Sequence, residues 1–255
     1  MITPVAYIKT LEGKSNAHLI RFSDGLDYVV KFFQTGFEKT LPNEWIGYCL
    51  ARYLGLPVPY SKLVKIPPEF VAQMPEHTEV QQTEYQFASL YIPDCFNGHE
   101  VQESFQITNS QSLAGIILLD YWVCNCDRTR KNILLQTEEP DGFRLWMIDQ
   151  AEILSGYNWD ESDLEVLPVE VLKSATHQLM AQSIESEQSF WEYLELIQTM
   201  PIFFIEEIVT MIPDDWMVGK EMKKAIVSTL IARRRKILPE LIEKFIKKVY
   251  QPLHN

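Results

Sequence analysis

Cysteine is scarce in this 255-residue chain: Cys49, Cys95, Cys124 and Cys126 are too few for a disulfide framework. Cys124-Asn125-Cys126 has no second Cys or His pair at zinc-ligand spacing, so a structural zinc site lacks support. No apolar run reaches the ~18 residues of a membrane span, and MITPVAYIKT has no signal-peptide core. These absences lead to the expectation of a soluble, reduced, cytoplasmic protein with no membrane partner. Basic charge is also in deficit, with 23 Lys and Arg against 35 Asp and Glu, a net charge of −12. That balance disfavours direct nucleic-acid binding, which needs a basic footprint for phosphate contacts. It leaves room for local phosphate binding by a few cations and backbone amides.

What is present is a substantial core. The apolar fraction is 46%, with 6 Trp, 11 Tyr and 13 Phe, so disorder is excluded and the Trp residues are expected to pack inside. The length suits one large domain or two lobes sharing a cleft. The charge is uneven: residues 220–248 carry ten Lys and Arg against three Glu, a local +7 that leaves −19 elsewhere.

Periodicity divides the chain. VAYIKT (5–10), AHLIRF (17–22) and LDYVVKFF (26–33) read as a three-strand meander, with a turn at Ser23-Asp24-Gly25. Pro42 and Asn43 open a helix in which Ile46, Cys49, Leu50 and Tyr53 recur at helical spacing, and Gly55 ends it. Two more strands are expected in 56–66 and 84–92, around a polar loop near 74–83. After about residue 92 the chain turns helical, beginning with the apolar stretch 112–125. The exception is a hairpin of 132–136 and 143–149 around Glu139-Pro140-Asp141-Gly142. From 158 onward helices run to the end, with breaks near Pro201, Pro213 and Pro239. The expected class is α+β: a small β-rich N-lobe (1–90), a larger α-helical C-lobe (91–255), and a site between them.

Three pieces in fixed order carry chemistry. Lys31 shares a strand face with Val29, and a lysine among apolar neighbours needs an anion, for which Glu44 is nearest in sequence. Taken alone, Lys31 also reads as an edge-strand residue facing solvent. Asp127 and Asn132 follow, five residues apart, between the apolar helix and a strand, and Asp149 ends the next hairpin. Phosphotransferases hold nucleophile and metal with such an Asp, Asn and Asp, and the oxygens of Asn132 and Asp149 are hard ligands of the kind Mg²⁺ prefers. Asp120 and Asn125 show the same spacing but lie in the apolar helix with no following hairpin and Asp, so that pair is set aside.

The order of these pieces resembles the protein-kinase-like fold, and more narrowly the HipA-like kinase family. LDYVVKFF, LPNEWIGYCLARYLGLPVP, NCDRTRKNILL and LWMIDQAEIL carry the resemblance, most specifically the Asn-Glu helix and its Leu-Gly-Leu-Pro-Val-Pro exit. It implies an ATP- and Mg²⁺-dependent serine/threonine kinase. Asp127 would orient and deprotonate the acceptor hydroxyl, while Lys31, held by Glu44, would contact the nucleotide phosphates. Gly13 and Ser15 would approach those phosphates through backbone amides. Asn132 and Asp149 would hold Mg²⁺. The segment Gln86–Leu90, with Phe87, Ala88 and Ser89 at its centre, would be the inter-lobe hinge facing adenine, and Val29 would pack on the ring. A protein substrate follows, and a regulatory partner resembling the antitoxin of HipA systems is allowed.

Three departures qualify the match. The loop at Gly13 has one Gly and a Ser where three Gly are usual, Thr129 stands where relatives often have His or Lys, and Gln150-Ala151 replaces Phe-Gly after Asp149. They leave open a lipid or small-molecule acceptor, and a nucleotide-binding pseudokinase acting as an interaction module. Cations near the proposed phosphate site are Lys31, Arg128, Arg130 and Lys131. The five His read as solvated or incidental and residues 181–195 as an exposed acidic helix face. The basic run near the C-terminus reads as two packed helices split at Pro239. Its sharper reading is a docking surface for an acidic or polyphosphate partner.

Overall fold

Alternation along LDYVVKFF sets the first layer. In the computed structural model, which describes residues 2–75, 81–101, 106–138 and 142–254, strand β3 (Asp27–Lys31) buries Tyr28 and Val30 on one face. It turns Val29 and Lys31 to a cleft on the other. It pairs with β2 (His18–Phe22), which pairs with β1 (Pro4–Thr10), and Gly25 at φ +81° makes the β2–β3 turn.

Helix α1 (Thr40–Tyr53) follows and ends at Gly55, whose φ of +69° stops it. Ile46 and Leu50 are buried as their spacing implied, whereas Tyr53 is exposed with its ring 4.7 Å from Phe204. Strand β4 (Ser61–Val64) and a single turn, α2 (Pro68–Val71), lead to β5 (Gln86–Leu90). The antiparallel sheet runs β1-β2-β3-β5-β4. Here one expectation is corrected. Gln86–Leu90 is an inner strand whose backbone pairs with β3 on one side and β4 on the other, so its amides and carbonyls are committed to the sheet. The commitment extends to Tyr91, whose N–H donates to Asp27 O at 2.9 Å, so main-chain donors free for a ligand lie beyond it.

The second half opens on a small sheet of order β6-β8-β9-β7, built from β6 (Cys95–Asn97), β7 (Gln106–Ile107), β8 (Ile133–Glu138) and β9 (Gly142–Met147). Every residue of α3 (Leu113–Val123) is buried. α4 (Glu161–Glu165) follows, then α5 (Ala175–Gln182) and α6 (Gln188–Thr199), which pack on α3, while α4 and α7 (Ile202–Thr210) pack on α8 (Lys220–Ala232). The loop expected near 74–83 and the turn at 139–142 include 76–80 and 139–141, which lie outside the described residues.

Pro201 and Pro213 break helices as expected, but Pro239 does not. Helix α8 continues through a π-helical turn, Arg233–Ile237, into α9 (Leu238–Phe245). Proline has no N–H to donate and clashes with the carbonyl four residues back, and the widened turn just upstream makes room for its ring. That turn also aims two arginines inward. Arg233 donates to the carbonyls of Tyr121 and Trp122 at the end of α3, both at 2.9 Å, and Arg234 to that of Met200, just after α6, at 2.6 Å. Cations there satisfy carbonyls that a helix end leaves unpaired. The basic run therefore presents fewer surface charges than its composition suggests.

α1 joins the halves. Trp45 Nε1 donates to Ile208 O in α7 at 2.8 Å, and a Cβ on Gly47 would lie 2.7 Å from Cβ of Gln150. Gly47→Ala should therefore lower stability by roughly 1–3 kcal/mol through overpacking, read as a fall of several degrees in Tm.

Candidate active site

Between the sheet and the helical half lies a cavity of about 720 Å³. The residues given a role at the site from sequence line it, except Gln86 and Ala88 in β5, and of the four cations placed near the phosphates only Lys31 and Lys131 do. Ala88 points into the apolar cluster of Ile20, Phe22 and Val30 on the far side of the sheet, because it alternates with Phe87 and Ser89. Gly13, at φ +145°, and Ser15 sit in the β1–β2 loop above the cavity.

Lys31 is only 8% exposed, and β3 is an inner strand, so the solvent-facing edge reading fails. Its Nζ donates to Glu44 Oε1 and, at 2.8 Å, to Asp149 Oδ1. Burial works against the ammonium, yet the two carboxylates hold its pKa above the ordinary lysine value. Burial likewise pushes the carboxyl of Asp149 up, but Lys31 brings it down to about 2. Glu44 goes the other way: deep burial, with Asp149 nearby, raises it despite Lys31. Asp149 adopts φ +59°, a left-handed conformation that a non-glycine residue keeps only where its surroundings enforce it.

Asp127 sits on the loop after α3, partly exposed. Asn132 Nδ2 donates to Asp127 O at 2.5 Å and to Asp127 Oδ2 at 3.0 Å, which leaves Asn132 Oδ1 as the atom for a ligand. Asn132 O accepts from Ile148 N at 3.1 Å, fastening this loop beside Asp149. Among the described residues no group of three His, Cys, Asp or Glu side chains forms an all-protein metal cage. One carboxylate and one amide oxygen do fit a hard cation that takes its other ligands from phosphate and water.

Several contributors escaped sequence reasoning. Arg128 is turned away from the cleft, 2% exposed, and paired with Asp120. Asp120, set aside for its place in the apolar helix, is completely buried and also bonded to His177 Nε2 at 2.9 Å, so His177 is not incidental. A carboxylate inside an all-apolar helix was the available signal, because such a charge needs partners. Asn43 is buried, and its Nδ2 reaches the carbonyls of Ala151, Ile153 and Gly156 at 2.7, 3.1 and 2.9 Å. It thereby fixes the segment after Asp149 to α1. At the cavity mouth Lys14 Nζ donates to Tyr157 OH at 3.1 Å, a contact from the β1–β2 loop to the opposite wall.

This geometry coincides with a sequence match: the family model for HipA-like kinases covers residues 6–247. The chain belongs to the HipA-like kinases. As such it is a phosphotransferase with an α+β kinase fold. This HipA-like kinase is similar to the Helicobacter pylori proinflammatory kinase CtkA, with TM-score 0.64 and 13% identity over 96% of this chain and 98% of that one. The Golgi casein kinase solved with Mn and ADP aligns with TM-score 0.53 and 11% identity, over 98% of this chain and 75% of that one. At such identities the likeness establishes the fold alone. HipA of Shewanella oneidensis MR-1, solved with HipB and operator DNA, overlaps at TM-score 0.46 and 13% identity, over 98% of this chain and 74% of that one, too loosely to bear on partners. No curated protein sequence gives a match.

Proposed function

We propose that this HipA-like kinase transfers the γ-phosphate of ATP, with Mg²⁺, to a serine or threonine hydroxyl of a protein. One observation carries the reading: Lys31, with Glu44 behind it and Asp149 at 2.8 Å, faces the cavity that Asp127 and Asn132 also line. The nucleotide-binding lobe is assigned to 1–90 and the catalytic lobe to 91–255, with adenine against Val29 and the main chain that follows β5, from the Tyr91 carbonyl onward.

Lys31 would neutralise phosphate oxygens, and the Gly13–Ser15 loop would cover them with backbone amides. Asp127, oriented by Asn132, would accept the hydroxyl proton and aim the nucleophile for in-line attack. A divalent ion held by Asn132 and Asp149 would screen the charge of the phosphates. Thr129 and Lys131 are exposed beside Asp127 at the cavity rim, which suits an acceptor delivered from solvent. All four cysteines are free, in keeping with a reducing cytoplasmic setting. Among the described residues no helix is long and apolar enough to cross a membrane. A regulatory, antitoxin-like partner remains part of the proposal on the sequence resemblance alone.

Labelled-phosphate transfer from ATP to protein, lipid and small-alcohol acceptors tests the assignment. Asp127→Asn should cut the rate by about 10²-fold or more, as expected for loss of a positioned base. Undiminished transfer in that variant would remove Asp127 from the mechanism. Transfer confined to lipid or small alcohols would move the acceptor class. ATP binding without turnover in the parent chain would make it a pseudokinase.

A further inference from the structure

Arg128 is buried outside the lining of the cavity, yet it joins both loops that carry the proposed metal ligands. A guanidinium has five N–H donors in a planar fork, and all five are used. Nε and Nη2 donate to the two oxygens of Asp120 at 2.9 and 3.0 Å. Nη1 donates to Asn132 O at 2.9 Å and to Ile148 O at 2.6 Å, and Nη2 also reaches Gln150 Oε1 at 3.1 Å. One rigid plane thus grips the backbone of Asn132 itself and both neighbours of Asp149. Its anchor, Asp120, is held in turn by Asn125 Nδ2 at 3.0 Å and by His177.

We infer that Arg128 is a positioning residue that sets the separation of the Asn132 and Asp149 ligand oxygens and thereby the divalent-metal affinity of the site. The inference rests on the kinase reading and adds to it a residue that touches neither substrate nor metal. The physical reason is geometric. Two ligands on different loops bind an octahedral ion tightly only if both loops hold still, and Mg²⁺ tolerates little departure from its geometry. Lysine in this place keeps the charge but is a single point, unable to span Asp120 and two carbonyls at once.

The test measures ATP binding by calorimetry at 10 °C, without metal and across a Mn²⁺ or Mg²⁺ titration, together with kcat per folded molecule. Arg128→Lys should leave the metal-free ATP affinity within twofold. It should raise the half-saturating metal concentration at least tenfold and lower kcat at least tenfold. Should it not fold, the charge-neutral Asp120→Asn/Arg128→Met double variant takes its place, since it removes both buried charges together, and the same shifts are expected. A folded variant of either kind with the parent's metal requirement and kcat overturns the inference. So does loss of folded protein in both with unchanged metal requirement in what remains, which marks Arg128 as a stability residue only. A parent chain that neither transfers phosphate nor binds ATP more tightly with metal fails the kinase reading itself, a result separate from any of these.

Discussion

Asp149→Asn should reduce phosphate transfer by about 10³-fold or more, because groups acting as a unit fail together. Asp149 Oδ1 stands 2.8 Å from Lys31 Nζ, and the same carboxylate is the only ionised member of the proposed metal pair. Asparagine preserves the shape but removes the charge that both neighbours require. Metal-free ATP binding should survive, since Lys31 keeps Glu44, whereas the gain in affinity on adding Mg²⁺ should disappear. A residual rate within tenfold of the parent's would overturn the assignment of Asp149. The variant should also alter acid stability. The folded-state pKa of about 2 lies below the ~3.9 of a free aspartate, so the parent's carboxylate contributes stability above that ordinary value and loses it as pH falls through about 2. Urea titrations between pH 2 and 5 should show that component in the parent and not in the variant.

The largest loss of stability is expected from Asp120→Ala. Removing one partner of a buried ion pair leaves an uncompensated charge and costs about 3–5 kcal/mol. Arg128 would be that charge, its side chain wholly inaccessible to water, and His177 would lose its partner too. Burial works against the Asp120 carboxylate, but Arg128 and His177 keep its pKa below the ordinary value, so the pair is ionised at neutral pH. For a chain of this size each kcal/mol is worth about 2–4 °C, so Tm should fall by roughly 6–20 °C. Thermal unfolding followed by circular dichroism checks it, and a shift below 2 °C would show that the pair contributes little.

Most strand and helix placement was legible because it depends on local periodicity, but the short strands β6 and β7 fall in a stretch read as helical. Alternation in LDYVVKFF put Lys31 and Val29 on one face, and the helix after Pro42 presented Glu44 to that lysine. The order of Asp127, Asn132 and Asp149 along the chain singled out three residues that line one cavity. What failed depended on side-chain direction and on neighbours distant in sequence. Arg128 follows Asp127 directly, yet it points into the protein, because Asp120 on α3 supplies the anion it needs. The backbone of Gln86–Leu90 is not free to face a ligand, since its pairing on both sides depends in part on a strand more than twenty residues away. Pro239 suggested a break that a π-helical turn absorbs.

The way Asn43 holds the segment after Asp149 has a consequence for control. Activation segments ordered by phosphorylation depend on phosphate–arginine pairs, which respond to kinases, phosphatases and ionic strength. Here the stretch from Ala151 to Gly156 is tied to α1 by an uncharged amide reaching three carbonyls. Neutral bonds of that kind have no charge for salt to screen and no proton to lose near neutral pH. Ordering of residues 151–156 by this tie therefore needs no added phosphate, and neither salt nor a pH change near neutrality should loosen it.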